Sequence, residues 1–471
     1  MTPLVISVSG IRGIVGESLT PEVVAAFAAA HGAARREATG RRAIVLGRDA
    51  RVSGPVFATA AEAGLRSVGC DVVDVGVACT PTILFAIQLE AAAGAIAITA
   101  SHNPAEWNAL KLASERGIFL TPDEGLHVRA IVEAGEIPRA PWNALGGRET
   151  RNDATARHLE RILADPLVDV DAVRERRFRV ALDTCAGAGS VAMVPLLDAL
   201  GVSVEGLHLE PTGRFPRDPE PTPENLGELS ARVRTAGTDL GLAIDPDGDR
   251  LALIDERGEP LGEDLTLALV IDYVLGRRAE HDAPSGASAE RGRRSGPVVT
   301  NLSTSQVVEY VAEEHGTTVE RTAVGEVNVA LRMLAVGSPI GGEGNGGVIY
   351  PGVHHTRDAP AGVALLLSHL ARSGRTLRAA AARFPVYSIR KTKLPLARVD
   401  AADLLARAAD AFNGAQADRT DGLRLAWPQR GEWLHLRASG TEPIVRVIAE
   451  ARDPARAEAL VQRAQALAES A

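Results

Sequence analysis

Ser101 sits in the run Thr99-Ala100-Ser101-His102-Asn103-Pro104, directly after an apolar segment, Gly94 to Ile98, that reads as a buried strand. A serine at a strand's end, among small and polar residues, is placed for chemistry rather than packing. Further on, Asp245-Pro246-Asp247-Gly248-Asp249-Arg250 follows a second short apolar strand, Leu240 to Ile244. Three carboxylates on alternate positions of a tight loop repel one another unless a cation neutralises them. Their hard oxygens suit Mg²⁺, which keeps further positions for water or phosphate oxygen. Arg250, next to them, offers a cationic fork to phosphate. The two loops together indicate phosphoryl transfer assisted by a divalent metal. An EF-hand is the competing reading, because Glu256 falls at the twelfth position. It fails because Arg250 stands where the sixth-position glycine belongs, and the strand-like Leu251-Ala252-Leu253-Ile254 follows at once.

Other runs add anion-binding and sugar-binding chemistry. Positive charge is carried almost wholly by arginine, and the only lysines are Lys111, Lys391 and Lys393. Lysine can give up its proton when its pKa is lowered, whereas arginine effectively cannot. Lys111, just after the serine loop, is therefore a candidate for proton transfer or phosphate contact, with an ordinary surface lysine as the alternative. In Arg437-Ala438-Ser439-Gly440-Thr441-Glu442-Pro443, the glycine permits a tight turn, the hydroxyls of Ser439 and Thr441 donate, and successive N–H groups form an anion-binding concavity. Arg437 can grip phosphate bidentately; a plain turn explains the same run. Glu343-Gly344-Asn345-Gly346 pairs a carboxylate with an amide, which suits vicinal sugar hydroxyls, although a glycine-rich turn would read the same way. Ser9-Gly10-Ile11-Arg12-Gly13 and the run Gly47 to Gly54 set arginines beside glycines. Arg12 is a candidate to face phosphate, while Arg48 and Asp49 either organise their loop or form a structural salt bridge.

The elements that must carry these loops repeat a theme. A strand leads through a polar loop and a helix to a second strand, and then to a third strand that ends in one of the unusual loops. The first pass runs Ala43 to Leu46, Val72 to Val75 and Ile96 to Ile98; the second Val180 to Asp183, Val202 to Val204 and Leu242 to Ile244; the third Val298 to Asn301, Thr318 to Glu320 and Gly341 to Gly347. Helices with apolar spacing of three and four residues intervene, as at Pro21 to Ala34 and Ser190 to Leu200. Ala140 to Glu149 reads as a linker and Arg277 to Gly296 as a solvated loop. After Ala371 the pattern changes: Pro385 to Ile389, Leu423 to Trp427, Trp433 to Leu436 and Ile444 to Ile448 read as strands, closed by a helix from Pro454 to Glu469. The expected fold class is α/β: three related mixed α/β/α domains plus a C-terminal α+β domain with an antiparallel sheet. The expected divisions are 1–145 for the serine loop, 150–255 for the metal loop, 256–371 for the sugar loop and 376–471 for the phosphate loop.

Composition narrows the setting. A chain of 471 residues with 45% hydrophobic residues supports several ordinary cores. The net charge of −9 gives no global support to a nucleic-acid surface. Cys70, Cys79 and Cys185 are odd in number and form no CxxC pair, which points to a reducing cytoplasm rather than disulfides or zinc. No apolar run approaches membrane-spanning length, and the start, with Leu4-Val5-Ile6 reading as a strand, does not look like a signal peptide. The sequence carries no signal for an oligomeric state.

Taken together, in order and spacing across nearly the whole chain, these loops resemble the α-D-phosphohexomutase superfamily. The family's T-A-S-H-N-P loop followed by N-x-x-K is matched through Asn108 and Lys111, its D-x-D-x-D-R loop by Asp245 to Arg250, its G-E-x-[SN]-G loop by Gly342 to Gly346, and its R-x-S-G-T-E-P loop by Arg437 to Pro443. Phe215-Pro216 with Pro221 to Leu226 resembles a further F-P…P-x-P-E-N-L segment. The resemblance implies four domains around a central cleft. It implies a phosphorylated Ser101 acting as phosphate carrier, one Mg²⁺ held by the phosphoserine, Asp245, Asp247 and Asp249, and His102, Lys111, Arg12 and Arg250 as catalytic residues, with Lys111 managing the hydroxyl proton. Glu343 and Asn345 would hold the sugar, and Arg437, Ser439, Gly440 and Thr441 its phosphate. The implied reaction moves a phosphoryl group between O6 and O1 of a hexose phosphate through a 1,6-bisphosphate. The chain departs from the family at Ser7-Val8-Ser9-Gly10, where many members read F-G-T-[DS]-G. It departs also at Asn345 and Gly347, where bacterial-type sugar loops carry serine and histidine; His354 and His355 are the nearby histidines that would have to substitute. The asparagine-containing loop resembles amino-sugar mutases and archaeal-type phosphoglucosamine mutases, which implies glucosamine phosphates. Neutral hexose phosphates are the alternative substrate, and a phosphatase or a non-catalytic phosphosugar-binding regulator are the alternatives of another class.

Overall fold

The computed structural model describes residues 4–7, 10–281, 296–395, 400–439 and 444–469. Its strands form four sheets. In the first, the parallel strands Gly94–Ile98, Ala43–Arg48, Asp71–Val77 and Arg148–Thr150 lie side by side, and Trp107–Ser114, Gly10–Ile14 and Val5–Ser7 extend the other edge antiparallel. Strand Ala43–Arg48 shows why this sheet is covered on both faces: Ile44 and Leu46 join one apolar cluster and Val45 another.

The second sheet runs Leu251–Ile254, Leu240–Ile244, Arg179–Asp183, Ser203–Leu207, and the third Val319–Thr322, Val298–Asn301, Gly341–Glu343, Gly347–Ile349. The three sheets share one device. A parallel strand (Gly94–Ile98, Leu240–Ile244 or Gly341–Glu343) ends at its carboxyl terminus in a loop and returns as an antiparallel neighbour. Those loops carry the serine, the aspartates and the Glu343–Gly346 run. The carboxyl ends of such strands are where open α/β sheets receive ligands. Helix Ala359–Ser373, buried from Ala359 to Leu370, runs through a core shared by the second and third units, which is why its sequence is apolar all round rather than striped.

The fourth sheet, Ser388–Pro395, Ile444–Ala451, Glu432–Ala438, Leu423–Trp427 and Gln416–Asp418, is wholly antiparallel. Helices Ala401–Ala411 and Pro454–Glu469 contribute to its separate core.

Three readings are corrected. The strand read at Pro385 to Ile389 is Ser388–Pro395. It is an edge strand whose Lys391 and Lys393 are exposed, so it lacks the apolar run that marks a buried strand. The linker Ala140 to Glu149 ends in strand Arg148–Thr150, which pairs with Asp71–Val77. Arg277 to His281 is the last part of helix Glu263–His281 rather than loop, and 282–295 lie outside the described residues. No helix among the described residues is long and apolar enough to cross a membrane. Cys70, Cys79 and Cys185 are free and buried.

Candidate active site

The aspartate loop is shaped by its own backbone. Gly248, at φ 71°, closes a turn in which its N–H donates to the Asp245 carbonyl at 3.1 Å. The N–H groups of Asp249 and Arg250 both donate to Asp245 Oδ1 at 3.1 Å. The three carboxylates are fully buried, with one oxygen from each within 4.8 Å of the others. Asp247 Oδ1 and Asp249 Oδ1 accept no hydrogen bond among the described residues. Buried, orphaned carboxylate oxygens pointing into one cluster of hard donors fit a divalent cation such as Mg²⁺. Burial, then Asp249 and Asp247, push the Asp245 carboxyl well above its usual range, as mutual repulsion between buried like charges does.

Ser101 meets this loop directly. Its hydroxyl donates to Asp245 Oδ2 at 2.8 Å, and His102 Nδ1 lies 3.3 Å from Ser101 Oγ. Lys111, on strand Trp107–Ser114, places Nζ 2.6 Å from Asp247 Oδ2 and 3.6 Å from Asp249 Oδ2. Burial opposes its charge, but the two aspartates outweigh burial and raise its pKa. Burial, with Arg250 and Arg12 nearby, holds the His102 imidazole well below its usual range. Arg12 lies on strand Gly10–Ile14, not in a loop, and donates to Asn103 Oδ1 at 2.7 Å. Arg250 approaches Glu220 at 3.4 Å, and Glu220 lies 3.9 Å from His102 Nε2. Thr80, at the start of helix Thr80–Leu89, holds the loop from the first unit through N–H to the Asp247 carbonyl at 2.8 Å and Oγ1 to Asp247 Oδ2 at 2.7 Å.

The serine loop is strained and clamped. Ser101 has φ 49°, a left-handed conformation that costs a non-glycine residue about 1 kcal/mol or more. Arg51, fully buried, spends all five of its N–H donors here. Nη1 donates to the carbonyls of Pro104 (2.7 Å) and Trp107 (2.9 Å), Nη2 to those of Ser101 (2.7 Å) and Asn103 (2.6 Å), and Nε to Asp49 Oδ2 at 3.1 Å. Thr99 Oγ1 donates to the same Asp49 oxygen at 2.6 Å, and Phe215 lies under the guanidinium at 4.9 Å. Asp49 thus organises the loop with Arg51 as its partner, whereas the Arg48 side chain donates to the Asp49 carbonyl at 3.4 Å and forms no ion pair with Asp49 among the described residues. Arg51 carried no separate signal beyond its place in the Gly47 to Gly54 run.

Glu343 is nearly buried and accepts from Asn301 Nδ2 (2.7 Å), the Gly325 N–H (3.1 Å) and Arg357 Nη1 (2.9 Å). Asn345 keeps a buried Oδ1 without a hydrogen-bond partner. His354 is committed to Asp358 Oδ2 at 2.8 Å, beside Phe85 and His158, and Arg357 rather than a histidine adjoins Gly347. Arg437 pairs across strands with Arg446, and its Nε lies 3.1 Å from Asp421 Oδ2. The Ser439 N–H donates to the Ile444 carbonyl at 2.8 Å. Gly440 and Thr441 lie outside the described residues.

Comparison with known proteins bears on this geometry directly. The chain matches Phosphoglucomutase/phosphomannomutase alpha/beta/alpha domain I over residues 4–138, domain II over 156–258, domain III over 263–387 and the C-terminal domain over 392–467. It is 37% identical to a Phosphoglucomutase/phosphomannomutase of Thermococcus kodakarensis, covering 98% of each chain, and 36% identical to a Probable phosphoglucosamine mutase of Methanopyrus kandleri, covering 96% of this chain and 95% of the other. A crystal structure of a Phosphoglucomutase/phosphomannomutase family protein from Burkholderia thailandensis superposes with a TM-score of 0.84 at 26% identity, over 99% of this chain and 97% of that one. The buried aspartates, the serine that meets them and the order of the four units thus have one explanation: the chain belongs to the phosphoglucomutase/phosphomannomutase family and is a phosphohexomutase, an isomerase.

Proposed function

We propose that this phosphohexomutase interconverts glucosamine 6-phosphate and glucosamine 1-phosphate by lending and reclaiming a phosphoryl group carried on Ser101. The observation that carries the reading is the 2.8 Å contact between Ser101 Oγ and Asp245 inside a buried cluster of three aspartates. A hydrolytic serine is activated by one base oriented by a third group, whereas here three buried carboxylates converge as hard oxygen donors beside it. Asp245, Asp247 and Asp249, with a phosphoserine oxygen, would hold Mg²⁺, which supplies charge neutralisation to the transferring phosphoryl group.

The chain's own residues do the rest. Arg437, Ser439, Gly440 and Thr441 seize the substrate's phosphate and so place its far hydroxyl at Ser101. Glu343 and Asn345 hold sugar hydroxyls in both orientations of the ring. The sugar O1 attacks phosphorus, the P–Oγ bond of Ser101 breaks, and the hexose leaves Ser101 as a 1,6-bisphosphate. After the bisphosphate turns over, Ser101 Oγ attacks the 6-phosphate and the 1-phosphate remains. His102, 3.3 Å from Ser101 Oγ, is the proton acceptor within reach. Lys111, held on Asp247, keeps its proton and acts as donor and counter-charge. Arg12 and Arg250 face the developing negative charge.

Asn345 in the sugar loop supports the amino-sugar reading, as does the name of the Methanopyrus relative. The name of the Thermococcus relative supports a second reading, glucose and mannose phosphates. Rates measured side by side on glucosamine, glucose and mannose 6-phosphates decide between them. Ser101→Ala is expected to cut turnover by about 10³-fold or more and to abolish the phosphopeptide seen by mass spectrometry. Near-normal turnover in that variant, or active enzyme never phosphorylated at Ser101, would end the carrier mechanism.

A further inference from the structure

Gly347, one of the two sugar-loop departures, has a physical explanation. A Cβ built there would lie 2.2 Å from Arg357 Cδ and 2.9 Å from its Cγ, and the next atom, Asn345 Oδ1, is at 3.1 Å. Gly347 is not among the residues with positive φ, so its backbone conformation suits any residue. The glycine is needed for space, and the space is occupied by one arginine.

That arginine then enters a buried knot of carboxylates drawn from two units. Nη1 reaches Glu343 Oε2 at 2.9 Å, Nη2 reaches Asp249 Oδ2 at 2.5 Å, and Nε reaches Glu326 Oε2 at 3.1 Å. Its backbone N–H also donates to Glu326 Oε1 at 2.8 Å. Glu326 opens helix Glu326–Val336, Glu343 ends the strand before the sugar loop, and Asp249 belongs to the aspartate loop. A planar fork with donors at fixed angles can satisfy three acceptors at once; a lysine ammonium at the end of a flexible stem cannot span them in the same way.

We infer that Arg357 is the positioning residue that fixes Glu343 against the aspartate loop, and that Gly347 is glycine so that this arginine can pass. The inference rests on the proposed contact of Glu343 with sugar hydroxyls. Arg357 is anchored on Asp249 and Glu326, and it leaves the Glu343 carboxylate one orientation. The sugar loop is thereby registered to the place where the phosphoryl group is transferred. Position 347 and the arginine at 357 share one space, so position 347 stays glycine while that arginine is present.

The test is a double-mutant cycle of Gly347→Ala and Arg357→Ala, with kcat, KM for the hexose phosphate and melting temperature measured for each folded variant. Each single change is expected to raise KM by about 10-fold, the loss of one charge-assisted contact, with a smaller effect on kcat. The double variant should be no worse than Arg357→Ala, because nothing then crosses position 347. Additive effects overturn the shared-space argument. If Arg357→Ala leaves three carboxylates unmatched and does not fold, Arg357→Lys carries the test, and an unchanged KM in that variant overturns the positioning role. Glu343→Gln separates the two layers. If it raises KM and the arginine variants do not, the inference fails while the sugar contact stands. If it leaves KM unchanged, the sugar contact fails, while a Gly347→Ala melting penalty that vanishes in the Arg357→Ala background still supports the shared space.

Discussion

At the scale of single residues, the serine loop is held by a cation that never needs to touch substrate. Four carbonyls between Ser101 and Trp107 converge on the Arg51 guanidinium, and Ser101 is kept at φ 49°. Left-handed serine persists only where its surroundings over-determine it. Arg51→Lys keeps the charge but offers three donors in place of five. It is therefore expected to lower kcat by about 10²-fold with little change in KM, because misplacing the carrier by a fraction of an ångström affects transfer rather than docking. Kinetics on the folded variant check this, and a KM defect with normal kcat would assign Arg51 to binding instead. That Ser101 and the three aspartates are candidate site residues was legible in sequence, because unusual side chains at strand ends advertise themselves, and the structure brings them together. Arg51 and Arg357 were not. An arginine's partners here are carbonyls and carboxylates from distant segments, and nothing local distinguishes Arg48 from Arg51 until the fold brings residues 101–107 against one of them.

At the scale of elements, the aspartate loop and the Glu343 strand are connected to the fourth unit by a short series of polar contacts. Arg357 joins Asp249 to Glu343; Glu343 accepts from the Gly325 N–H; the adjacent Val324 N–H donates to Asp421 Oδ2 at 3.0 Å; and Asp421 holds Arg437. Asp421 therefore orients Arg437, the proposed phosphate anchor, from the loop between strands Gln416–Asp418 and Leu423–Trp427 and ties it to the third unit. Asp421→Asn keeps the shape but weakens a charge-assisted pair. It is expected to raise KM for the hexose phosphate by about 5- to 10-fold at nearly constant kcat, and an unchanged KM would mean that Arg437 is positioned by its strand alone. The strands that position the loops read correctly from sequence where they are buried on both faces. Leu240–Ile244 and Val298–Asn301 have the expected bounds. Elements with a face in water read poorly. Arg148–Thr150 is wholly exposed, and the Ser388–Pro395 edge alternates with lysines, so neither offers the apolar run on which strand recognition depends.

At the scale of the molecule, the same burial that builds the apolar cores also traps titratable groups, and this sets the acid limit of the fold. His31, within helix Pro21–Thr39, is completely buried with no hydrogen bond to either ring nitrogen among the described residues, and burial, with Arg35 adding to it, pushes its pKa down to about 3. His435 links the third and fourth units, with Nδ1 3.0 Å from Ser303 Oγ and Nε2 2.7 Å from the Asp421 carbonyl, and burial lowers its pKa to about 4. Both groups are neutral when folded and take up a proton more readily when unfolded. Their contribution is therefore complete above the unfolded value of 6.5 and is lost as pH falls toward the folded values. The slope is about 1.4 kcal/mol per pH unit for each histidine inside that window. His31→Leu replaces an unpaired imidazole with an apolar side chain and removes one of the two slopes. Relative to the parent, the variant should gain about 2 kcal/mol between about pH 7.5 and about pH 5 in urea titrations that follow the first unit. A stability difference that stays constant across that range would show that His31 takes up its proton as readily in the folded chain as in the unfolded one, and would end this account.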